Sequence, residues 1–143
     1  MTDLTLDVAR KISDAALAKC RAMKLKPMAI AILDARGTLK TFVAEDNTSL
    51  LRGDVAHGKA YGALALGMGS RAIFKRANEQ PYFVDAINTM ARGALVPVPG
   101  GVLINDKDGN LLGAIGISGD TSDNDEAAAL AGIAAAGLVG NAG

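Results

Sequence analysis

Gly101-Val102-Leu103-Ile104-Asn105-Asp106-Lys107-Asp108-Gly109-Asn110-Leu111-Leu112-Gly113-Ala114-Ile115-Gly116-Ile117-Ser118 reads as two apolar strands, 101–105 and 111–118, on either side of a polar turn. Asp108-Gly109 is among the strongest short hairpin signals, because glycine accepts the left-handed backbone that a tight turn requires. A second unit of the same kind lies upstream. The continuous apolar run Met28-Ala29-Ile30-Ala31-Ile32-Leu33 suits a strand covered on both faces. Asp34-Ala35-Arg36-Gly37 then reads as a turn, and 38–45 as a strand that pairs back. Strands joined by tight turns run antiparallel, so parallel βαβ units do not fit.

Outside the hairpins the apolar period is helical. Over 4–23, Val8, Ile12, Ala16, Cys20 and Met23 recur at spacings of three and four, with Asp7, Arg10, Asp14 and Arg21 on the other side. Pro27 closes that region. Helices are also predicted over 51–66, 70–88 and 126–139. Capping-box pairs Ser122/Asp125 and Asp123/Glu126 stand at the entrance to the last one. The order is helix, two strands, two helices, two strands, helix. It predicts an α+β fold, a single domain over residues 1–143 with one antiparallel sheet of two hairpins flanked by helices.

Composition narrows the function classes. The 143 residues fit one domain, and a chain of that size buries about two thirds of its unfolded surface without a disulfide or metal. Fifteen basic and fifteen acidic residues give a net charge of +0, which excludes the footprint of a nucleic-acid binder. Aromatics are 3% and Trp is absent, so base-stacking platforms are not expected. The lone Cys20 excludes a disulfide framework within the chain, and lies on the apolar face of the first helix as inert core. The opening residues show no apolar core of signal-peptide length, so a cytoplasmic address is expected, with no membrane partner.

Half of the residues are hydrophobic, yet nearly all of that mass is small. It concentrates in 60–68, where Tyr61 carries the only polar side chain, and in 127–139, which carries none. Helices without a polar face must be covered all round, which predicts packing between subunits in a homo-oligomer.

His57, the only histidine, shares a helical face with Asp54 and Tyr61, at the polar end of a stripe formed by Leu50, Leu64 and Met68. It suits an axial ligand or a general base, with Asp54 orienting the ring, or else a structural histidine at a subunit contact. Arg52 and Lys59, seven apart, share the neighbouring face. With Glu45 and Asp46 they make either an anion pocket or a solvated helix start, and the planar fork of Arg52 is the better carboxylate clamp. Asp120, Asp123, Asp125 and Glu126 crowd the last helix, where acids stabilise the N-terminus without any metal. Asp120 is the member best placed to face a ligand. Gly67-Met68-Gly69-Ser70-Arg71 lacks the lysine and spacing of a P-loop and reads as a turn between helices. In Pro97-Val98-Pro99-Gly100-Gly101, the glycines let the backbone approach a ligand or a partner subunit closely.

These residues also carry a family resemblance. Pro99-Gly100-Gly101-Val102, the following Asp108-Gly109 and Leu112-Gly113-Ala114-Ile115-Gly116-Ile117-Ser118-Gly119-Asp120 resemble the GlcG/HbpS family, the haem-degrading domain family that includes the C-terminal domain of PduO. So do Ala56-His57-Gly58-Lys59-Ala60-Tyr61 and Ile32-Leu33-Asp34 with Gly37, and the likeness covers nearly the whole chain. It implies a profilin-like fold, assembly into dimers or larger oligomers up to octamers, and haem binding in some members. The family's Arg-x-Asp-Gly pattern after the second strand is here Ala44-Glu45-Asp46-Asn47.

The resemblance and the residues together point to an oligomeric small-ligand-binding protein, with His57 as axial ligand if the ligand is haem. The alternative is a cofactor-free isomerase, hydratase or lyase acting on a small carboxylate-bearing catabolic metabolite. There His57 is the base, Arg52 the anion clamp, and Glu45 or Asp120 the acid; Lys59, Tyr61, Gly100 and Gly101 line the ligand. A purely structural or sensory accessory protein is a third reading.

Overall fold

Both hairpins close on an aspartate that accepts hydrogen bonds from the backbone of its own turn. Asp34 Oδ1 accepts from the N–H groups of Arg36 and Thr38, each at 3.0 Å. Asp106 Oδ1 accepts from Asp108 at 2.9 Å and Asn110 at 2.8 Å. Gly37 and Gly109 follow at the same offset with φ of 86° and 87°, the left-handed conformation that glycine takes at no steric cost. Burial alone would raise the Asp34 carboxyl, but the Thr38 and Arg36 N–H groups, with the Arg36 charge, hold it below its ordinary value.

The computed structural model describes residues 3–143. In chain order the elements are α1 (Leu6–Ala22), β1 (Ala29–Asp34), β2 (Leu39–Ala44), α2 (Arg52–Leu66), α3 (Ser70–Glu79), α4 (Pro81–Met90), β3 (Gly101–Asn105), β4 (Leu111–Ser118), α5 (Ser122–Ala135) and β5 (Val139–Asn141). The sheet runs β2-β1-β4-β3-β5 and every neighbouring pair is antiparallel. The α+β class and the two-hairpin sheet are as the sequence predicts.

Three details differ. The helix expected over 70–88 is two helices, because Pro81 opens a new one at its first turn and Gln80 before it is non-helical at φ −138°, ψ 67°. The last helix ends at Ala135, and 139–141 form β5 along the open edge of β3. The cap of α5 is Thr121, whose side chain accepts from Asn124 N–H, one residue before the expected Ser122.

Side-chain alternation divides the sheet into unlike faces. Ile30 and Ile32 of β1, Val102 and Ile104 of β3, and Ile115 and Ile117 of β4 pack with Ile12, Ala16 and Cys20 of α1 and Ala128, Ala129 and Ile133 of α5. Full burial of each such aliphatic side chain contributes about 1.5–3 kcal/mol. The opposite face presents Ala29, Ala31, Ala114, Gly116 and Gly101, and α2 lies directly on it through Ala56, Ala60 and Ala63. A Cβ on Gly116 would sit 1.9 Å from the Ala56 carbonyl oxygen, so glycine is required there. Packing within one chain thus buries four small or apolar residues of α5 and five of α2, besides Asp125 and Lys59.

Candidate functional site

The outer face of α2 brings together the residues that helical spacing predicts. His57 and Tyr61 lie one turn apart with rings stacked at 6.2 Å between centroids and 18° between planes. Asp54, Val55 and His57 face Arg92, Ala94 and Val96 across an open cavity of about 370 Å³. The far wall is held close by the Val96 N–H donating to the Gly58 carbonyl at 3.2 Å, and a Cβ on Gly58 would strike Val96 Cγ2 at 2.5 Å. Arg92, with φ 58°, is a member that the sequence reading missed, since nothing local marks it. Tyr61 also borders a smaller hollow of about 180 Å³ with Arg36 and Leu64.

His57 is half-buried, and its imidazole has no hydrogen-bond or ion-pair partner among the described residues. The expected orienting bond from Asp54 is therefore absent, although Asp54 lines the same cavity. An unbonded imidazole beside a cavity keeps both ring nitrogens available, one of them as an acceptor in the neutral form.

Lys59, on the adjoining face of α2, goes inward. It is 2% exposed, and its Nζ donates to Asp125 Oδ2 of α5 at 3.0 Å and to the Ile117 carbonyl at 2.8 Å. Asp125 is 1% exposed and accepts the Asp120 N–H through its other oxygen at 3.1 Å. This ion pair joins the helical layers from opposite sides of the sheet, around the end of β4. Burial pushes the Lys59 ammonium down, and the Asp125 carboxylate opposes that shift. What Gly100 and Gly101 admit at close range is Lys59: a Cβ on Gly100 would lie 2.8 Å from Nζ, and one on Gly101 2.2 Å from the Lys59 carbonyl oxygen. Ser70 secures the same junction, its hydroxyl accepting from the Gly101 N–H at 2.7 Å.

Arg52 also reaches the end of β4, donating to Ser118 Oγ at 3.2 Å, and borders a shallow hollow of about 180 Å³ with Lys26, Asn47 and Ser49. Asn47 stands where the family pattern has glycine and keeps the left-handed turn at φ 70°. His57 does not share this hollow. Five residues separate it from Arg52, about 140° around the helix.

Glu45 is occupied elsewhere, paired with Arg21 at 3.1 Å and accepting the Met28 N–H at 2.9 Å. Asp120 accepts from Lys26 N–H, Asn124 Nδ2 and Thr121 N–H, and these bonds lower its carboxyl to about 2. These bonds favour its ionised form. Asp123 and Glu126 both bind Arg71 of α3. The acidic run is thus distributed over three separate structural tasks. The base, clamp and acid of the enzyme alternative are not brought into one cavity by a single chain. Cys20 is buried, and burial pushes its thiol up to about 11.

A family model described as haem degrading protein HbpS-like matches residues 4–134. The chain belongs to the HbpS-like family. Its fold superposes on that of PduOC in a haem complex with a TM-score of 0.83 at 25% identity, covering 93% of this chain and 94% of that one. The Klebsiella pneumoniae protein ORFY aligns at TM-score 0.86 and 20% identity, over 96% and 92% of the two chains. The HbpS crystal structure aligns at 0.79 and 24% identity, over 94% and 90%. No curated protein matches the chain in sequence. No helix among the described residues is long and apolar enough to cross a membrane.

Proposed function

We propose that this HbpS-like protein binds haem on the outer face of α2, with His57 as the axial ligand. The observation that carries the reading is the unpartnered, half-buried imidazole at the mouth of the Asp54–Val96 cavity. The family match and the haem complex of PduOC support the choice of ligand.

The residues present fit haem in their donor set. A neutral imidazole nitrogen is a standard iron ligand, and Tyr61 stacked beside His57 limits the ring's rotation. Arg92 borders the cavity and Arg36 the neighbouring hollow, so a cation stands at each end of the His57–Tyr61 pair to meet haem carboxylates. Haem, when bound, would supply a redox-active iron centre. Within this reading His57 holds the iron, the arginines orient the carboxylate edge, and Val55 and Val96 exclude water from one side.

The cavity lies near the low end of the ~300–1,000 Å³ typical of ligand sites and is open; within this reading a second copy of the chain encloses it. Exposed Leu50, Leu51 and Phe42, close to the start of α2, supply apolar surface for that assembly. Elution at the size of a monomer at working concentration would remove the oligomer from this proposal.

Haemin titration tests the ligand. Wild type is expected to shift the Soret band at sub-micromolar haemin, and His57→Ala to abolish the shift while melting within about 0.5 kcal/mol of wild type, since the imidazole makes no bond. Equal, weak binding by both proteins would refute the haem reading.

A further inference from the structure

A larger cavity, about 440 Å³, lies between α1 and the edge strand β2, away from His57. Leu6, Arg10, Ser13 and Asp14 line it from α1, and Lys40, Thr41 and Val43 from β2. Ser13 is 3% exposed. Among the described residues only two buried side-chain polar atoms lack a hydrogen-bond partner, Ser13 Oγ and Thr41 Oγ1, and both belong to residues of this one cavity.

That coincidence needs a cause. A serine inside a helix ordinarily bonds back to the carbonyl four residues earlier, and Ser13 does not. Leaving a buried hydroxyl unbonded costs about 1–3 kcal/mol, so two orphans in one place make a standing penalty that a ligand oxygen would relieve. The surrounding charges are equally uncommitted. Arg10, Asp14 and Lys40 enter none of the ion pairs among the described residues. Two cations and one anion leave a surplus of one positive charge. The wall beside them is apolar, formed by Leu6 and Val43.

We propose that this groove is a second ligand site, selective for a small monocarboxylate with an apolar body. The Ser13 and Thr41 hydroxyls donate to the carboxylate oxygens, Arg10 and Lys40 balance the charge, and Val43 and Leu6 cover the body. Asp14 disfavours dianions by like-charge repulsion. The site uses no residue of the haem reading, so the two stand or fall separately.

Sodium benzoate is the probe, titrated into ¹⁵N-labelled full-length protein with sodium chloride at matched ionic strength as control. Saturable shifts are expected at the amides of Ser13, Asp14, Lys40 and Thr41, with none at His57. Arg10→Gln and Ser13→Ala are each expected to weaken binding about tenfold through the loss of one charge-assisted bond. Ser13→Ala should also melt no lower than wild type, because it removes an orphaned hydroxyl and alanine is the better helix former. The proposal is overturned by shifts that chloride reproduces, by shifts centred on His57, or by unchanged affinity in Ser13→Ala. A lower melting temperature in Ser13→Ala would overturn it too, by showing that the hydroxyl is already satisfied.

Discussion

Ile115 and Gly116 are neighbours in β4 that serve opposite sides of the sheet under different physics. Ile115 faces α1 and α5, where interlocking aliphatic side chains supply burial. Gly116 faces α2, where the helix backbone touches the strand and no side chain fits between. One face gains stability from volume and the other from proximity. The near face also carries the polar chemistry. Lys59 reaches Asp125 only because Gly100 and Gly101 leave room for its stem and backbone, and seating α2 this close fixes the direction of His57 and Tyr61.

The most severe way to break this contrast is to add one methyl group to the near face. Gly116→Ala places a Cβ 1.9 Å from the Ala56 oxygen and 2.8 Å from the Ala60 nitrogen, both backbone atoms that cannot yield without moving α2. The variant is expected to lose the cooperative thermal transition altogether by circular dichroism; a wild-type-like melt would contradict the close approach. Next comes Lys59→Met, which leaves Asp125 buried and uncompensated at an expected cost of about 3–5 kcal/mol in urea denaturation. Lys59→Met combined with Asp125→Leu should recover most of that loss, because an apolar pair replaces an ionic one of similar volume. A double variant no more stable than Lys59→Met would mean that the lysine stabilises through packing and not through its partner.

How much of this could be read in the sequence follows the distance over which each feature is encoded. The hairpins were legible because Asp34 with Gly37, and Asp106 with Gly109, act within their own turns. The His57–Tyr61 face was legible for the same reason, four residues being one helical turn. The break at Pro81 was written in the chain but masked by an apolar period that ran through it. Strand β5 was not legible: three residues in a small apolar tail acquire strand character only from the edge of β3. Neither was the fate of Lys59, because its partner stands 66 residues away and its burial depends on both layers being in place. Arg52 and Lys59 share a face as the spacing requires, but tertiary packing leaves one at a surface hollow and seals the other beneath it. The apolar helices predict subunit contacts because a small domain offers few places to cover them. Part of that cover lies within the chain, where Gly132 lets α5 approach α1 closely on the sheet face that both helices share.

Removing a methyl group from the far face is the matching experiment on a smaller scale. Ile115→Val leaves a small void among residues that can partly relax around it, with an expected loss of about 0.5–1.5 kcal/mol. Two adjacent single-methyl changes in β4 should therefore differ from modest to ruinous. If Ile115→Val proved as damaging as Gly116→Ala, the two faces would not differ in tolerance and the contrast would fail.

The smallest effect belongs to Asp120, at the rim where the two layers meet. Its three hydrogen bonds depress the folded-state pKa to about 2 from the ordinary 3.8. A carboxyl depressed on folding contributes stability that is complete above the unfolded pKa and is lost as pH falls through the folded one. Melting temperature should therefore decline between about pH 4 and pH 2, and Asp120→Asn should flatten part of that decline while leaving the neutral-pH melt slightly lower. An unchanged acid profile in Asp120→Asn would assign the decline to Asp34 and Asp106, which are also held below their ordinary values by turn hydrogen bonds. In that case the acid sensitivity of the fold would lie in the hairpin turns and not at the junction of its two faces.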